Sequence, residues 1–135
     1  MPRTRELFDT VTAKAGLGSD VLANAVDILQ ECEEAVTACA MGMLGEQDAL
    51  TMAPAISRDL DCADVAGTTR RVLTRGSGPD NSLISAQFDA CLLACERSNA
   101  LCTRHAARHA HCQMCAAATR HCADMCQRVL EALHR

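Results

Sequence analysis

The spacing of the cysteines in the last third of the chain constrains its fold more than any other feature of the sequence. Seven of the ten cysteines and four of the five histidines lie between residues 91 and 126. The intervals between those cysteines are 4, 7, 10, 3, 7 and 4 residues. Because residues three, four and seven apart share one face of an α-helix, the pattern predicts two successive helices that each present a face of thiols.

Apolar residues elsewhere in the chain repeat at the same helical intervals, and few segments alternate as a half-buried strand would. We predict a short helix near 4–14 and four long helices at about 19–45, 54–75, 82–104 and 108–133. Glycine or proline marks the ends of the first three, whereas helix length alone places a tight turn at about 104–108. Long amphipathic helices with short links predict an all-α fold, an antiparallel four-helix bundle that forms a single domain over residues 1–135.

Composition limits the partners and the cellular compartment. The net charge is −4, and the only aromatic residues are Phe8 and Phe88. The chain therefore lacks both the basic charge and the base-stacking rings that nucleic-acid-binding proteins use. The segment Met1–Glu6 has no apolar signal-peptide core, and no apolar run approaches the roughly 20 residues of a membrane span. We expect a cytoplasmic protein without a membrane partner, whose thiols stay reduced and serve metal binding or redox chemistry.

The ten cysteines are candidate metal ligands. Thiolates prefer Cu(I), zinc or iron–sulfur clusters, and zinc sites usually need four ligands that converge on one centre. A long stripe of thiols suits Cu(I), which accepts two or three ligands and tolerates bridging sulfurs. The predicted ligands are Cys32, Cys39, Cys62, Cys91, Cys95, Cys102, Cys112, Cys115, Cys122 and Cys126.

Three histidines and one aspartate are further candidate ligands. His105, His109 and His111 lie at the predicted turn between the last two helices. There, imidazoles at one end of the bundle would receive copper and pass it to thiols, and the alternative is a solvated basic loop. Asp61 directly precedes Cys62. A carboxylate at this position would accept thiol hydrogen bonds or help to bind the first metal ion, and the alternative is a solvated charge on the helix surface.

The chain resembles the bacterial copper storage proteins, which are cysteine-lined four-helix bundles that hold many Cu(I) ions. The motifs that carry the resemblance are His105-x3-His109-x-His111-Cys112-x2-Cys115-x6-Cys122-x3-Cys126, Cys91-x3-Cys95 and Leu60-Asp61-Cys62-Ala63-Asp64, within residues 19–134. The resemblance implies the cytosolic branch of the family, a homotetramer, and exchange partners such as copper chaperones or copper-requiring proteins. Relatives often carry cysteine at the positions of Ala66 and Thr119 and near Val36, so the thiol lining is thinner here.

Charge determines how such a core would work. Ten thiolates in a low-dielectric interior would be too costly, so the empty core must hold neutral thiols. Each Cu(I) then replaces one proton, which predicts at least about eight Cu(I) per chain and weaker binding as the pH falls. The sequence has no nucleophile with an adjacent base and no phosphate-binding loop, which favours storage over catalysis. Two alternatives stay open here: a metallothionein-like zinc or cadmium buffer, and an iron–sulfur or thiol redox protein.

Overall fold

A computed structural model describes residues 2–10, 17–75 and 80–134, and these residues form five α-helices and one 3₁₀ helix. The α-helices are α1 (Pro2–Thr10), α2 (Ser19–Leu44), α3 (Ala53–Arg75), α4 (Ser82–His105) and α5 (Ala110–Leu133). In the bundle, α2 and α4 each pack against both α3 and α5, and α1 lies against α2. The predicted all-α fold, a four-helix bundle with a short additional N-terminal helix, is confirmed.

The connections differ from the prediction only in detail. The turn between α4 and α5 spans residues 106–109, close to the predicted 104–108. The link between α2 and α3 contains the 3₁₀ helix Ala49–Met52, which the sequence pattern did not indicate. The end of the predicted N-terminal helix, at 11–14, and the glycine-rich break at 76–79 lie outside the described residues.

Two connections bring the histidines and two carboxylates to the same end of the bundle. Helix α4 ends at His105, and His109 has an extended backbone directly before α5. The loop after α2 carries Glu46 and Asp48. Since α5 begins beside the point where its neighbour α2 ends, these residues lie close together. We call this end of the bundle, residues 45–48 and 105–111, the mouth.

Small residues allow the helices to pack closely around an interior with few aromatic rings. A Cβ atom on Gly67 of α3 would collide with the Glu33 carboxylate of α2, which explains the glycine at this contact. Glu33 also forms a partly buried ion pair of 3.1 Å with Arg70. Apart from Phe8 and Phe88, the hydrophobic part of the core consists of aliphatic residues, methionines and the thiols. No helix in the described parts of the chain has the length and apolar composition needed to cross a membrane.

Candidate metal centre

All ten cysteines lie in the core of the bundle. Each is at most 1% exposed, and none forms a disulfide. Every long helix contributes: α2 carries Cys32 and Cys39, α3 carries Cys62, α4 carries Cys91, Cys95 and Cys102, and α5 carries Cys112, Cys115, Cys122 and Cys126. The helical spacing in the sequence therefore does bring the thiols together in one interior column.

Four thiols lie near the mouth, and we call them the outer group: Cys39, Cys102, Cys112 and Cys115. The sulfurs of Cys39 and Cys112 are 3.8 Å apart. The Nδ1 atom of His111 lies 3.6 Å from the Cys39 sulfur and 3.5 Å from the Cys112 sulfur. One imidazole nitrogen and two sulfurs thus converge within 4.8 Å of one another, an arrangement that could hold a soft metal ion.

A buried carboxylate, Asp59 of α3, lies deeper in the outer group. Its Oδ1 atom accepts hydrogen bonds from the Ser98 hydroxyl at 2.7 Å and from the Cys102 and Cys115 thiols at 3.2 and 3.4 Å. The Cys102 and Cys115 sulfurs are 3.2 Å apart. Asp59, Cys39, Cys102 and Cys115 form a second set of potential ligands within 4.8 Å. Because Cys39 belongs to both sets, the outer group is continuous.

The prediction that Asp61 approaches the thiols is wrong. Its side chain is 61% exposed and lies 3.9 Å from the Arg58 guanidinium, on the outside of α3. A residue adjacent to Cys62 is rotated from it by about 100° around the helix axis. Asp59 is three residues away and shares the face of the cysteine. The carboxylate beside the thiols is therefore Asp59.

The remaining six thiols form the inner group: Cys32, Cys62, Cys91, Cys95, Cys122 and Cys126. The sulfurs of Cys32, Cys62 and Cys95 make a nearly equilateral triangle with sides of 3.8, 3.8 and 4.0 Å. Two further triads share the Cys122 sulfur and have their atoms within 4.8 Å: Cys32, Cys95 and Cys122, and Cys91, Cys122 and Cys126. The inner half of the column is thus a run of overlapping three-sulfur sets.

Burial and the contacts between thiols control ionisation in the core. Burial raises the pKa of Asp59 to about 7, although the hydrogen bond from Ser98 opposes this shift. Contacts with neighbouring thiols, together with burial, raise the pKa of Cys95, Cys115 and Cys122. Most of the column therefore favours neutral thiols when no metal is bound.

In every set except that of Cys39, Cys112 and His111, where the pKa of both thiols is raised, one thiol is the preferred position for the first lost proton. Hydrogen bonds from Cys115 and Cys39 lower the pKa of Cys102. Contacts with Cys122 and other thiols lower the pKa of Cys32 and Cys91 in the same way. A thiolate formed at one of these positions is stabilised by its thiol neighbours, which gives an arriving cation a negatively charged ligand.

The three predicted histidines all lie at the mouth but have different surroundings. Only His111 directs a ring nitrogen at the thiols. The His109 ring stacks on the His111 ring with centroids 5.3 Å apart, and its Nδ1 atom lies 3.4 Å from Glu46 Oε1. His105 is half-buried, its Nδ1 atom has no hydrogen-bond partner among the described residues, and it joins none of the potential ligand sets found there.

Sequence reasoning missed Asp59 and Glu46 as members of the site and did not assign Ser98 a role. Asp59 lies three residues before Cys62, and Ser98 lies three residues after Cys95, so both share the register of the cysteines. A search for polar residues in that register would have found them. Glu46 lies in a loop, where no periodicity indicates which way a side chain points.

A helical bundle with a column of buried, reduced thiols belongs to the class of proteins whose core binds soft metal ions. A family model described as copper storage protein matches residues 19–131 of this chain. The chain therefore belongs to the copper storage protein family, as the cysteine and histidine motifs had indicated.

Solved structures are similar over nearly the whole chain. Ccsp, the copper storage protein from Streptomyces lividans loaded with 10 copper equivalents, is 35% identical, with a TM-score of 0.90 over 95% of this chain and 98% of that chain. A cytosolic copper storage protein from Streptomyces lividans with five coppers is 37% identical, with a TM-score of 0.81 over 83% and 93%. A sequence comparison with curated proteins found no match.

Proposed function

We propose that this protein is a cytosolic copper store that holds many Cu(I) ions on its ten core thiolates. The observation that carries the proposal is the column of buried, reduced thiols, in which contacting sulfurs lie 3.2 to 4.0 Å apart. Thiolate ligands favour Cu(I), zinc and iron–sulfur clusters, and membership of the copper storage family supports copper as the cargo. The role is storage and detoxification, with no catalytic turnover.

The separations between sulfurs favour three-sulfur and bridged sites. With metal–sulfur bonds of about 2.3 Å, two sulfurs lie about 4.6 Å apart across a linear ion and about 4.0 Å apart around a trigonal one. The triangle of Cys32, Cys62 and Cys95, with sides of 3.8 to 4.0 Å, fits a trigonal ion without movement of the helices. Since two triads share Cys122, its sulfur would bridge ions. Overlapping triads suit Cu(I) better than zinc, which usually takes four ligands.

Protons balance the charge of the stored copper. Neutral thiols fill the empty core because ten buried thiolates would be too costly. Each Cu(I) that enters replaces one thiol proton, so the charge of the core does not change and acid opposes loading. Asp59 is suited to accept a proton from Cys102 or Cys115, because its Oδ1 atom already contacts both sulfurs.

Copper reaches the column through the mouth. The His111 ring is partly exposed, with 27% of its side chain open to solvent, and its Nδ1 atom lies within 3.6 Å of two thiols. An ion bound there is already next to Cys39, which is also part of the Asp59 set. The ion can therefore pass inward by exchanging one ligand at a time.

Anaerobic titration of the reduced apoprotein with Cu(I), against a competing chelator, tests the proposal. We expect at least about eight tightly bound Cu(I) per chain, close to one per thiol. Saturation at two ions or fewer would refute storage. A colourless product also separates copper storage from the iron–sulfur alternative, because iron–sulfur clusters are brown.

The chain is further proposed to work as one storage domain over residues 1–135 and to assemble as a homotetramer that exchanges copper with chaperones or copper-requiring proteins. An apolar groove on the outside of the bundle supports association between copies, and it is lined by Leu44, Leu50, Ile56 and Leu60. Leu50 is 89% exposed in the single chain. Light scattering coupled to size-exclusion chromatography gives the mass of the assembly directly, and a monomer mass would contradict the tetramer.

A further inference from the structure

The outer side of His111 faces a second set of potential ligands that contains no sulfur. Its Nε2 atom lies 3.1 Å from Glu46 Oε1. The same oxygen lies 3.4 Å from Nδ1 of His109. Ligand atoms from Glu46, His109 and His111 all lie within 4.8 Å of one another. Two imidazoles and one carboxylate thus converge at the mouth, separated from the thiols by the width of one imidazole ring.

These distances match the dimensions of a zinc site. Zinc binds histidine nitrogen and carboxylate oxygen at about 2.0–2.2 Å, so tetrahedral geometry places neighbouring ligand atoms about 3.3–3.5 Å apart. The two measured nitrogen–oxygen separations, 3.1 and 3.4 Å, are close to that range. Two histidines, one carboxylate and an open position also form a ligand set that zinc uses in proteins. Cu(I), in contrast, prefers the sulfurs on the other side of the ring.

The surroundings of His109 support a metal-binding role for its ring. The side chain is only 13% exposed, and its Nε2 atom is buried without a hydrogen-bond partner among the described residues. Asp48 Oδ1 lies 3.8 Å from that Nε2 atom. A ring that bound metal through Nδ1 would carry its proton on Nε2, directed toward this carboxylate, and such outer carboxylates orient metal-binding histidines.

We propose that Glu46, His109 and the Nε2 atom of His111 form a Zn²⁺ site at the mouth, and that this site is antagonistic to Cu(I) on the thiol side of the same ring. A neutral imidazole has one nitrogen with a free lone pair and one that carries hydrogen. Zinc on Nε2 therefore leaves an N–H at Nδ1, which cannot bind the copper that reaches Cys39 and Cys112. Copper on Nδ1 likewise leaves an N–H at Nε2, which donates to Glu46 and excludes zinc. This antagonism rests on the proposed copper route, whereas the zinc site itself does not.

Co²⁺ is the probe for the site, because its spectrum distinguishes sulfur from nitrogen and oxygen ligands. Reduced apoprotein is titrated anaerobically with Co²⁺. We expect the first equivalent to give visible ligand-field bands without the near-ultraviolet charge transfer that thiolate ligands produce. Glu46→Gln and His109→Ala should each weaken this binding at least about tenfold. Glu131→Gln and His121→Ala, at exposed positions elsewhere on α5, are the matched controls and should leave it unchanged.

Two outcomes would overturn the zinc site: sulfur charge transfer from the first equivalent onward, or equal Co²⁺ affinity in Glu46→Gln and the parent protein. Circular dichroism of each variant excludes loss of the fold as the cause. The antagonism has its own test, in which Cu(I) is added to the protein that carries one equivalent of Co²⁺. The Co²⁺ spectrum should disappear as the first copper ions bind, and its persistence at copper saturation would overturn the shared-ring mechanism. The copper stoichiometry from the same titration shows separately whether the storage function holds.

Discussion

The outer and inner groups use the same ligand, the cysteine thiol, in different surroundings. In the outer group, His111 and Asp59 lie within 3.6 Å of sulfur, and Ser98 completes the contacts of the carboxylate. In the inner group, the potential metal-binding sets found among the described residues contain sulfur alone. The outer group therefore has residues that can accept protons and receive an ion from solvent, whereas the inner group supplies only sulfur ligands for stored ions.

This difference indicates that the outer and inner groups have different roles in copper loading. An ion that enters the outer group meets nitrogen and oxygen ligands. Its first bonds therefore do not require a thiol to lose its proton. The inner triads gain stability from copper only after protons have left, and their nearest acceptors are other sulfurs. We expect loading rate and proton release to be controlled near the mouth, and the number of ions to be controlled by the inner thiols.

The largest effect on capacity is expected from the inner group. Replacing Cys32, Cys62 and Cys95 by alanine removes one complete sulfur triangle, and charge balance then predicts a loss of about three Cu(I) per chain. The initial rate of copper uptake should stay within about twofold of the parent rate, because the mouth is intact. Anaerobic Cu(I) titration and stopped-flow uptake measure the two quantities.

The double variant of Cys39 and Cys112, both to alanine, is the matched comparison in the outer group. It should lose about two ions and should also slow the first phase of uptake, since on the proposed route these sulfurs receive copper from His111. Equal rates in the two variants, or an unchanged capacity in the triple variant, would contradict the division between the groups.

The next largest effect concerns stability. Asp59→Asn should change how the unfolding free energy of the apoprotein depends on pH. The unfolded carboxyl loses its proton near the ordinary pKa of 3.8, whereas burial holds the folded pKa at about 7. Folding thus takes up a proton between these values, and the apoprotein loses stability as the pH rises through that range. A shift of this size corresponds to roughly 4 kcal/mol at most. The asparagine side chain does not ionise, so the variant does not lose stability in this way.

Urea unfolding of the two apoproteins at pH 5 and pH 8 measures this linkage. The stability of Asp59→Asn relative to the parent should increase by a few kcal/mol between the two pH values. Thiol ionisation is common to both proteins and largely cancels in the difference. A constant difference would show that the carboxylate is already charged in the folded core at pH 5.

A smaller effect, on the rate of copper uptake, is expected when the His111 side chain is displaced but not removed. A methyl group on Gly42 of α2 would lie 3.0 Å from the Cγ and Cδ2 atoms of the His111 ring. Gly42→Ala should therefore push the ring away from Cys39 and Cys112 and slow the first phase of copper uptake several-fold, with total capacity retained. Because alanine is also the better helix former, by roughly 1 kcal/mol, slower uptake cannot be attributed to a weaker helix.

Gly45→Ala at the end of the same helix is the control. A Cβ atom there would have its nearest contact at 3.6 Å, and the residue has an ordinary φ of −84°. Its uptake should match that of the parent. Parent-like uptake in Gly42→Ala would mean that the His111 ring does not transfer copper.

Helical geometry determines how much of this site could be predicted from the sequence. Spacing alone placed all ten cysteines in one column, because residues in register on four packed helices must meet in the centre. The spacing also indicates the position of Asp59, because an interval of three residues puts Asp59 and Cys62 on one face of the helix. Adjacency in sequence misleadingly favoured Asp61, which the helical turn directs away from the core.

Tertiary contacts between loops and helices were beyond the reach of the sequence pattern. The histidines were predicted at the mouth, but which ring nitrogen faces sulfur depends on how α5 rotates against α2. Glu46 reaches His109 and His111 only because the loop after α2 lies beside the start of α5. Neither relation has a periodic signal in the chain, since both join segments more than 60 residues apart.

The smallest effect is expected for Asp61→Asn, and it tests the assignment of the two aspartates most directly. Asp61 is exposed, and its only described ion pair is a 3.9 Å contact with Arg58. Exposed pairs of this kind contribute about 0–1 kcal/mol, so unfolding free energy should change by less than about 0.5 kcal/mol. Copper capacity, uptake rate and the pH dependence of stability should all equal those of the parent protein. If Asp61→Asn altered the pH profile and Asp59→Asn did not, the carboxylate that faces the thiols would be the exposed one, contrary to the geometry of α3.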